Sequence, residues 1–200
     1  MIHFISDIRS IDMHASSVRS MRKFFDKYSL PDMSVLDIGS QVIMDWGQGG
    51  CKIPKYKQIT QKHLCRYYGL DVVKGSNVDI VVPNAYEWGN IKSNRYDIVI
   101  SGQTFEHIQF FWLTFNEIIR ITKPGGYICL IVPSIGYYHN IPIDCWRFQK
   151  DSMKALEAWA DYSGNPAKLI DTYVDLTSEW GDCVGVFKKY DIRGSVCREA

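Results

Sequence analysis

The sequence predicts an α/β fold: a doubly wound, mostly parallel, seven-stranded sheet with helices on both faces. Three observations predict it. Short apolar runs recur along the chain, helical patterns sit between several of them, and the runs are continuous rather than alternating. Strand–helix alternation marks βαβ units, and continuous Val/Ile/Leu runs suit strands covered on both faces.

Residues 16–28 (SSVRSMRKFFDKY) place Val18, Met21, Phe24 and Phe25 at helical spacing, with basic residues on the other face. Ser16 or Ser17 is the expected N-cap, and Pro31 follows the helix end. Strands are expected at 34–38, 67–72, 78–82, 96–101 and 126–132, then at 168–174 and 183–188. Residues 104–122 carry Phe105, Ile108, Phe111, Phe115, Ile118, Ile119 and Ile121 at helical spacing. Thr114 and Glu117 fit a capping box, which predicts a break near Trp112. The run KPGG at 123–126 stops that helix and turns the chain into the next strand. A further capped helix is expected at 151–159. No linker or repeat is visible. One domain is therefore expected over 1–200, with a helical segment at 1–33, a core at 34–190 and a frayed tail at 191–200.

The chain of 200 residues is 46% hydrophobic and 22% charged, which fits a packed domain and neither disorder nor a repeat array. A net charge of +1 argues against a surface that coats nucleic acid. No apolar run reaches the roughly 18 residues of a membrane span. The start, MIHFISDIRSIDMH, carries aspartates and no apolar signal segment, so a cytoplasmic location is expected. The cysteines at 51, 65, 129, 145, 183 and 197 are expected to be free thiols. None is spaced as C-x-x-C, and His63 with Cys65 lacks the four-ligand pattern of structural zinc, so no metal is expected.

The sharpest local signal is VLDIGS at 35–40, a buried strand running into a glycine turn. In open α/β sheets ligands bind outside such strand ends. Gly39 permits backbone conformations and close approach that a Cβ blocks, and Asp37 offers a carboxylate to an ammonium group. The alternative is an ordinary tight turn with an incidental aspartate. Asp71 ends the next expected strand, where an acid can accept both ribose hydroxyls of a nucleotide. NAD and S-adenosylmethionine (SAM) both carry an adenosine. The pyrophosphate pattern G-x-G-x-x-G is missing after Gly39, where the chain reads Ser-Gln-Val-Ile. SAM has no phosphate to seat.

On these residues the sequence resembles the class I SAM-dependent methyltransferases, a Rossmann-like family, over about 35–147. The resemblance implies SAM as cofactor. VLDIGS at 35–40 is similar to the family's SAM-binding loop, which implies roles for Asp37, Gly39 and Ser40. Asp71 with Val72 resembles the ribose-binding strand end. Asn84 and Ala85, in Asn84-Ala-Tyr86, fall where the family contacts adenine. Ser101 and Gln103 resemble the active-site edge of the fourth strand, and Phe105-Glu-His107 and RITKPGG at 120–126 the helix and turn beyond it. Two departures stand out. The family's further glycines come later here, at Gly47, Gly49 and Gly50, and Asn84 stands where an acid is common. The runs SGQTFEHIQFFW and VPSIGYYHNIPIDCWRF are similar to a subgroup associated with cell-surface glycan synthesis. That resemblance implies O-methylation of a small acceptor such as a sugar, a phosphorylated sugar or a glycan precursor.

The segment at 133–148 is expected to cross the same sheet edge with Tyr137, Tyr138, His139, Asp144, Trp146 and Arg147. A hydroxyl acceptor needs a base, and histidine suits neutral pH. His139 is the first candidate and His107 the second, with Asp144 as a further catalytic carboxylate; the alternative for either histidine is a structural hydrogen bond. Tyr138, Trp146 and Arg147 are candidate acceptor contacts, unless Arg147 is spent on Asp144 or Asp151. Between Asp45 and Asp71, Lys52, Lys55, Lys57, Lys62, His63 and Arg66 accumulate with Tyr56, Tyr67 and Tyr68. That is either a receiving face for an anionic acceptor or a solvated surface. A catalytically silent SAM-fold binding protein and a dinucleotide-dependent oxidoreductase are the competing readings, and a homo-oligomer is compatible with the sequence.

Overall fold

The computed structural model describes residues 15–42, 55–139, 143–165 and 167–190. Gly47, Gly49, Gly50, Lys52, Cys51 and Cys197 lie outside the described residues, as do the start of the chain and the tail at 191–200.

Seven strands form one sheet in the order β3-β2-β1-β4-β5-β7-β6. They are β1 (Ser34–Ile38), β2 (Arg66–Asp71), β3 (Ile80–Val81), β4 (Tyr96–Gly102), β5 (Thr122–Pro133), β6 (Ala167–Asp175) and β7 (Asp182–Lys189). β1, β2, β3, β4 and β5 pair in parallel, and β7 runs antiparallel to both β5 and β6. The expected fold class is the observed one. Ile38 pairs with Leu70 on one side and Ser101 on the other, so the C-terminal ends of β1, β2 and β4 share one edge.

Alternate strand residues serve opposite faces. Val35, Ile98, Ile100, Cys129 and Ile131 pack with Met21, Phe24 and Phe25 of α1 (Ala15–Tyr28) and with Tyr56 and Ile59 of α2 (Lys55–Lys62). Leu36, Val99, Ile128 and Leu130 pack with Phe115, Ile118 and Ile119 of α3 (Phe111–Ile121) and with Met153 and Leu156 of α4 (Ser152–Tyr162). Burial on both faces explains why these strands lack a polar alternation. No helix among the described residues is long and apolar enough to cross a membrane. Cys65, Cys129, Cys145 and Cys183 are free thiols.

Several local expectations are corrected. Ser16 and Ser17 lie inside α1, not at its cap. Ser16 donates its hydroxyl to buried Asp182, and Ser17 hydrogen-bonds the Tyr56 hydroxyl. The capping box at Thr114 and Glu117 is not formed, because α3 already starts at Phe111 after a short 3-10 turn at Phe105–His107. Thr114 instead donates to the Ala85 carbonyl at 3.0 Å, and Glu117 accepts the Trp88 amide at 2.8 Å and pairs with Arg120. Asp151 sits before α4 without a side-chain cap bond. The KPGG turn survives as an irregularity within β5: Tyr96 pairs with Thr122, but Ile98 pairs with Tyr127. β3 is shorter than expected because the Asp79 carboxylate takes the Gly69 amide at 2.8 Å in place of a ladder partner. α2 was not expected as a helix, and among its described side chains the buried ones are Tyr56, Ile59 and Thr60.

Asp182 is fully buried at the start of β7, where it accepts from Ser16 of α1 and from the Gln103 amide at 2.8 Å. Asp182→Ala leaves these donors unpaired, at about 1–3 kcal/mol per orphaned group. The expected outcome is a lower urea midpoint at unchanged slope; an unchanged midpoint would show that this junction does not carry the packing of α1.

Candidate active site

Gly39 closes the turn after β1 with φ of 72°. A Cβ there would lie 2.2 Å from the Thr104 hydroxyl oxygen. Only a bare backbone lets the β1 turn rest on the chain leaving β4, just before the Phe105–His107 turn. The amides of Gly39 and Ser40 both donate to the Leu70 carbonyl, at 2.9 and 3.1 Å.

Around this turn the structure brings Asp37, Ser40 and Asp71 together. The Asp37 carboxylate is buried and accepts from the Tyr67 hydroxyl at 2.7 Å. The Asn77 amide donates to that same hydroxyl oxygen at 2.7 Å and to the Ser40 carbonyl at 2.9 Å. Burial pushes Asp37 up to about 7; the Tyr67 hydrogen bond opposes the shift and the nearby Asp71 charge adds to it. Asp71 accepts the Gln41 amide at 3.1 Å and the Val72 amide at 2.7 Å, and Val72 itself is exposed. Beyond β3, Asn84 caps its own turn by accepting the Tyr86 amide at 2.8 Å, and the Ala85 carbonyl holds Thr114. Ser101 donates to the Ile38 carbonyl at 3.2 Å and Gln103 to Asp182, so both join strands at the edge.

The candidate acceptor residues gather on the other side of Thr104. His107 and His139 meet edge to face, with ring centroids 5.0 Å apart. The Nδ1 of His107 is held against the Ile143 carbonyl, and the Nδ1 of His139 lies 3.1 Å from the Asp144 carboxylate. Asp144 accepts the backbone amide of His139 at 2.9 Å. Arg147 grips Asp144 with both guanidinium nitrogens, at 2.5 and 2.7 Å. That fork holds Asp144 down to about 2. Its second nitrogen also donates to the Tyr137 carbonyl at 2.7 Å. Burial pulls His107 below the usual histidine value.

Trp180 completes the cluster, with its ring 5.0 Å from His139 and 4.8 Å from Tyr137. Gly136 makes this closure possible: its φ is 108° and a Cβ would lie 2.3 Å from the indole. Tyr138 is 69% exposed beside the cluster. Trp146 stands apart, donating to the Ile108 carbonyl at 3.1 Å and packing on Phe111. Glu106, next to His107, is 2% exposed and pushed up to about 8 by burial. The basic stretch before Asp71 divides. Tyr56 and Tyr67 turn inward, while His63 pairs with Asp26 at 3.3 Å and Arg66 with the Asp32 carbonyl.

Sequence reasoning did not single out Trp180, Glu106 or Asp182 as site residues, and it placed Tyr67 in the basic stretch rather than beside Asp37. Trp180 and Asp182 reach the edge through the β5–β7 ladder, which no local pattern announces. Glu106 had a signal: it is the one carboxylate among the first residues of a helical pattern with several large apolar side chains.

Residues 44–130 match the family of methyltransferase domains. A sequence comparison with curated proteins finds no match. Among solved structures, the chain is similar to Burkholderia thailandensis 1,6-didemethyltoxoflavin-N1-methyltransferase, crystallised with its substrate and S-adenosylhomocysteine. The TM-score is 0.64 at 14% identity, over 88% of this chain and 79% of that one. It is also similar to a putative sarcosine dimethylglycine methyltransferase from Galdieria sulphuraria, with TM-score 0.58 at 12% identity over 88% and 86% of the two chains. The [4+2]-cyclase SpnF shares the fold as well, with TM-score 0.61 at 12% identity over 86% and 80%. At these identities the likeness shows the fold. The domain match adds support for the class: residues 44–130 are similar to a methyltransferase domain, and they lie on a sheet with that fold.

Proposed function

We propose that this chain O-methylates a small acceptor, such as a sugar or a surface-glycan precursor, at the edge shared by β1 and β4. The observation that carries the reading is the contact of Gly39 with Thr104, which joins the Asp37–Asp71 side of that edge to the His107–His139 side.

SAM, when bound, supplies an electrophilic methyl group on a sulfonium. The residues fit its polar ends. Asp37 is a buried carboxylate with no cationic partner among the described residues, a ready site for an ammonium group. Asp71 takes the ribose hydroxyls, and Gly39 and Ser40 bring bare backbone close. Val72, Asn84 and Ala85 line the adenosine side, while Ser101 and Gln103 fix the strand edge beneath it. On the acceptor side the exposed rings of Tyr137 and Tyr138 suit a sugar, and buried Trp180 backs Tyr137. Trp146 steadies the segment from outside. Arg147, already engaged, orients Asp144, which in turn orients His139. His139, with His107 beside it, takes the acceptor's proton as the oxygen attacks.

The reading is tested by supplying methyl-labelled SAM with a panel of sugars, phosphorylated sugars and amines. Label in a hydroxyl product supports it. Label only in amines overturns the O-methylation, and no transfer with intact S-adenosylhomocysteine binding favours a silent binding protein. Asp71→Ala is expected to weaken S-adenosylhomocysteine by about 1.5–3 kcal/mol, read as the calorimetric Kd; an unchanged Kd would remove Asp71 from the ribose.

The pH dependence has a definite sign. Asp37 stands at about 7 and must be charged to hold an ammonium. Below that value its proton has to leave first, so affinity falls as pH falls. The Kd for S-adenosylhomocysteine is expected to be about tenfold higher at pH 6 than at pH 8, close to one factor of ten per unit below the pKa. Asp37→Asn should flatten the profile; a flat profile in the unmodified protein would place the ammonium elsewhere.

A further inference from the structure

We propose that Glu106, His107 and His139 form a binding site for one divalent transition-metal cation, held in the acceptor half of the edge. One ligand atom from each of the three lies within 4.8 Å of the others, and the Glu106 carboxylate is already 3.6 Å from the Nε2 of His107. A cation about 2.0–2.2 Å from each nitrogen and oxygen brings such atoms roughly 3 Å apart. Closing the site therefore needs these atoms to draw together by about an ångström or two.

Two further observations point to a cation. The first is the fixing of the imidazoles. The Nδ1 of His107 is held by the Ile143 carbonyl, while the Nδ1 of His139 lies 3.1 Å from the Asp144 carboxylate, which accepts the His139 backbone amide rather than the ring. That leaves both Nε2 atoms for a ligand, the arrangement in which protein imidazoles bind metals. The Arg147 fork on Asp144 adds a third layer of support. The second is Glu106. Its side chain is buried, and one carboxylate oxygen has no hydrogen-bond partner. An unpartnered buried carboxylate is costly, and a cation between it and the two imidazoles removes that cost.

Two nitrogens and one carboxylate suit zinc, iron(II), cobalt or manganese better than magnesium or calcium. Three protein ligands leave coordination positions open for an acceptor oxygen. This role rests on the methyl-transfer reading and changes one assignment in it: the imidazoles serve as ligands. An acceptor hydroxyl on the cation releases its proton to solvent at a lower pH than when free. Its oxygen then forms the bond to the methyl carbon as the carbon–sulfur bond breaks, and the bonding pair stays on sulfur, leaving a neutral thioether. The sequence expectation of no metal came from a four-ligand zinc pattern, which this split set does not follow.

The test is titration of chelator-stripped full-length protein with Co²⁺, read by visible absorption and calorimetry, with S-adenosylhomocysteine affinity measured on the same samples. The expected result is one equivalent of Co²⁺ with ligand-field bands and no thiolate charge-transfer band. Glu106→Gln and His139→Ala should each weaken it by at least about tenfold while S-adenosylhomocysteine binding persists. No saturable uptake by the unmodified protein, or uptake that survives both variants, would overturn the site. S-adenosylhomocysteine binding without Co²⁺ uptake would leave the methyl-transfer reading standing and remove the metal. Co²⁺ uptake without S-adenosylhomocysteine binding would uphold the metal and remove its role in methyl transfer.

Discussion

The arrangement depends on one close approach, the backbone of Gly39 against Thr104. β1 and β4 are neighbours in the sheet, so the segments leaving them must pass each other at the edge. A side chain at position 39 would push them apart. With none, the turn that carries Asp37 and Ser40 lies directly against the segment that carries Glu106 and His107. The Asp37–Asp71 side and the His107–His139 side are thereby fixed on elements of a single ladder, and the proposed in-line transfer over about 3 Å requires such a fixed spacing.

The edge also concentrates buried carboxylates, and their partners decide their state. Asp144 has the Arg147 fork and is held to about 2. Asp182 accepts from the uncharged donors Ser16 and Gln103. Among the described residues neither Asp37 nor Glu106 is gripped by a cation in this way, and burial raises them to about 7 and about 8, for Glu106 against the opposing charge of nearby Arg147. Raised acids bind more protons folded than unfolded. Asp37 thus contributes stability below its unfolded value near 3.8, and that contribution is lost as pH rises towards 7. The protein is less stable for keeping an unpaired carboxylate there, and a ligand that brings positive charge to Asp37 recovers what the empty fold gives up.

Much of the fold was legible because burial on both faces leaves continuous apolar runs. β1 is read to the residue, and β4 to within one. Where a side chain replaces a ladder partner, as Asp79 does for Gly69, the strand pattern misleads. Ser16 and Ser17 imitate a cap because a buried serine bonded to a distant strand has the same local sequence as an N-cap. α2 was hidden because so few of its residues turn inward. At the site, His107, His139, Asp144 and Arg147 were each visible as chemistry, but their meeting was not. It is produced by the β4–β5 register and by the fold of the following segment, where Cys145 donates to the Glu106 carbonyl. Trp180 arrives through antiparallel pairing with β5 and the gap left by Gly136, long-range events without a local trace.

The claim that the Gly39 edge is built for SAM is tested most directly by the thermal midpoint of the purified protein with S-adenosylhomocysteine, against NAD as control. At 100 times its dissociation constant a ligand adds about 2.7 kcal/mol, roughly 5–10 °C in a chain of this size. The expected result is that rise with S-adenosylhomocysteine and none with NAD. A rise with NAD alone, or with neither at millimolar concentration, would contradict it.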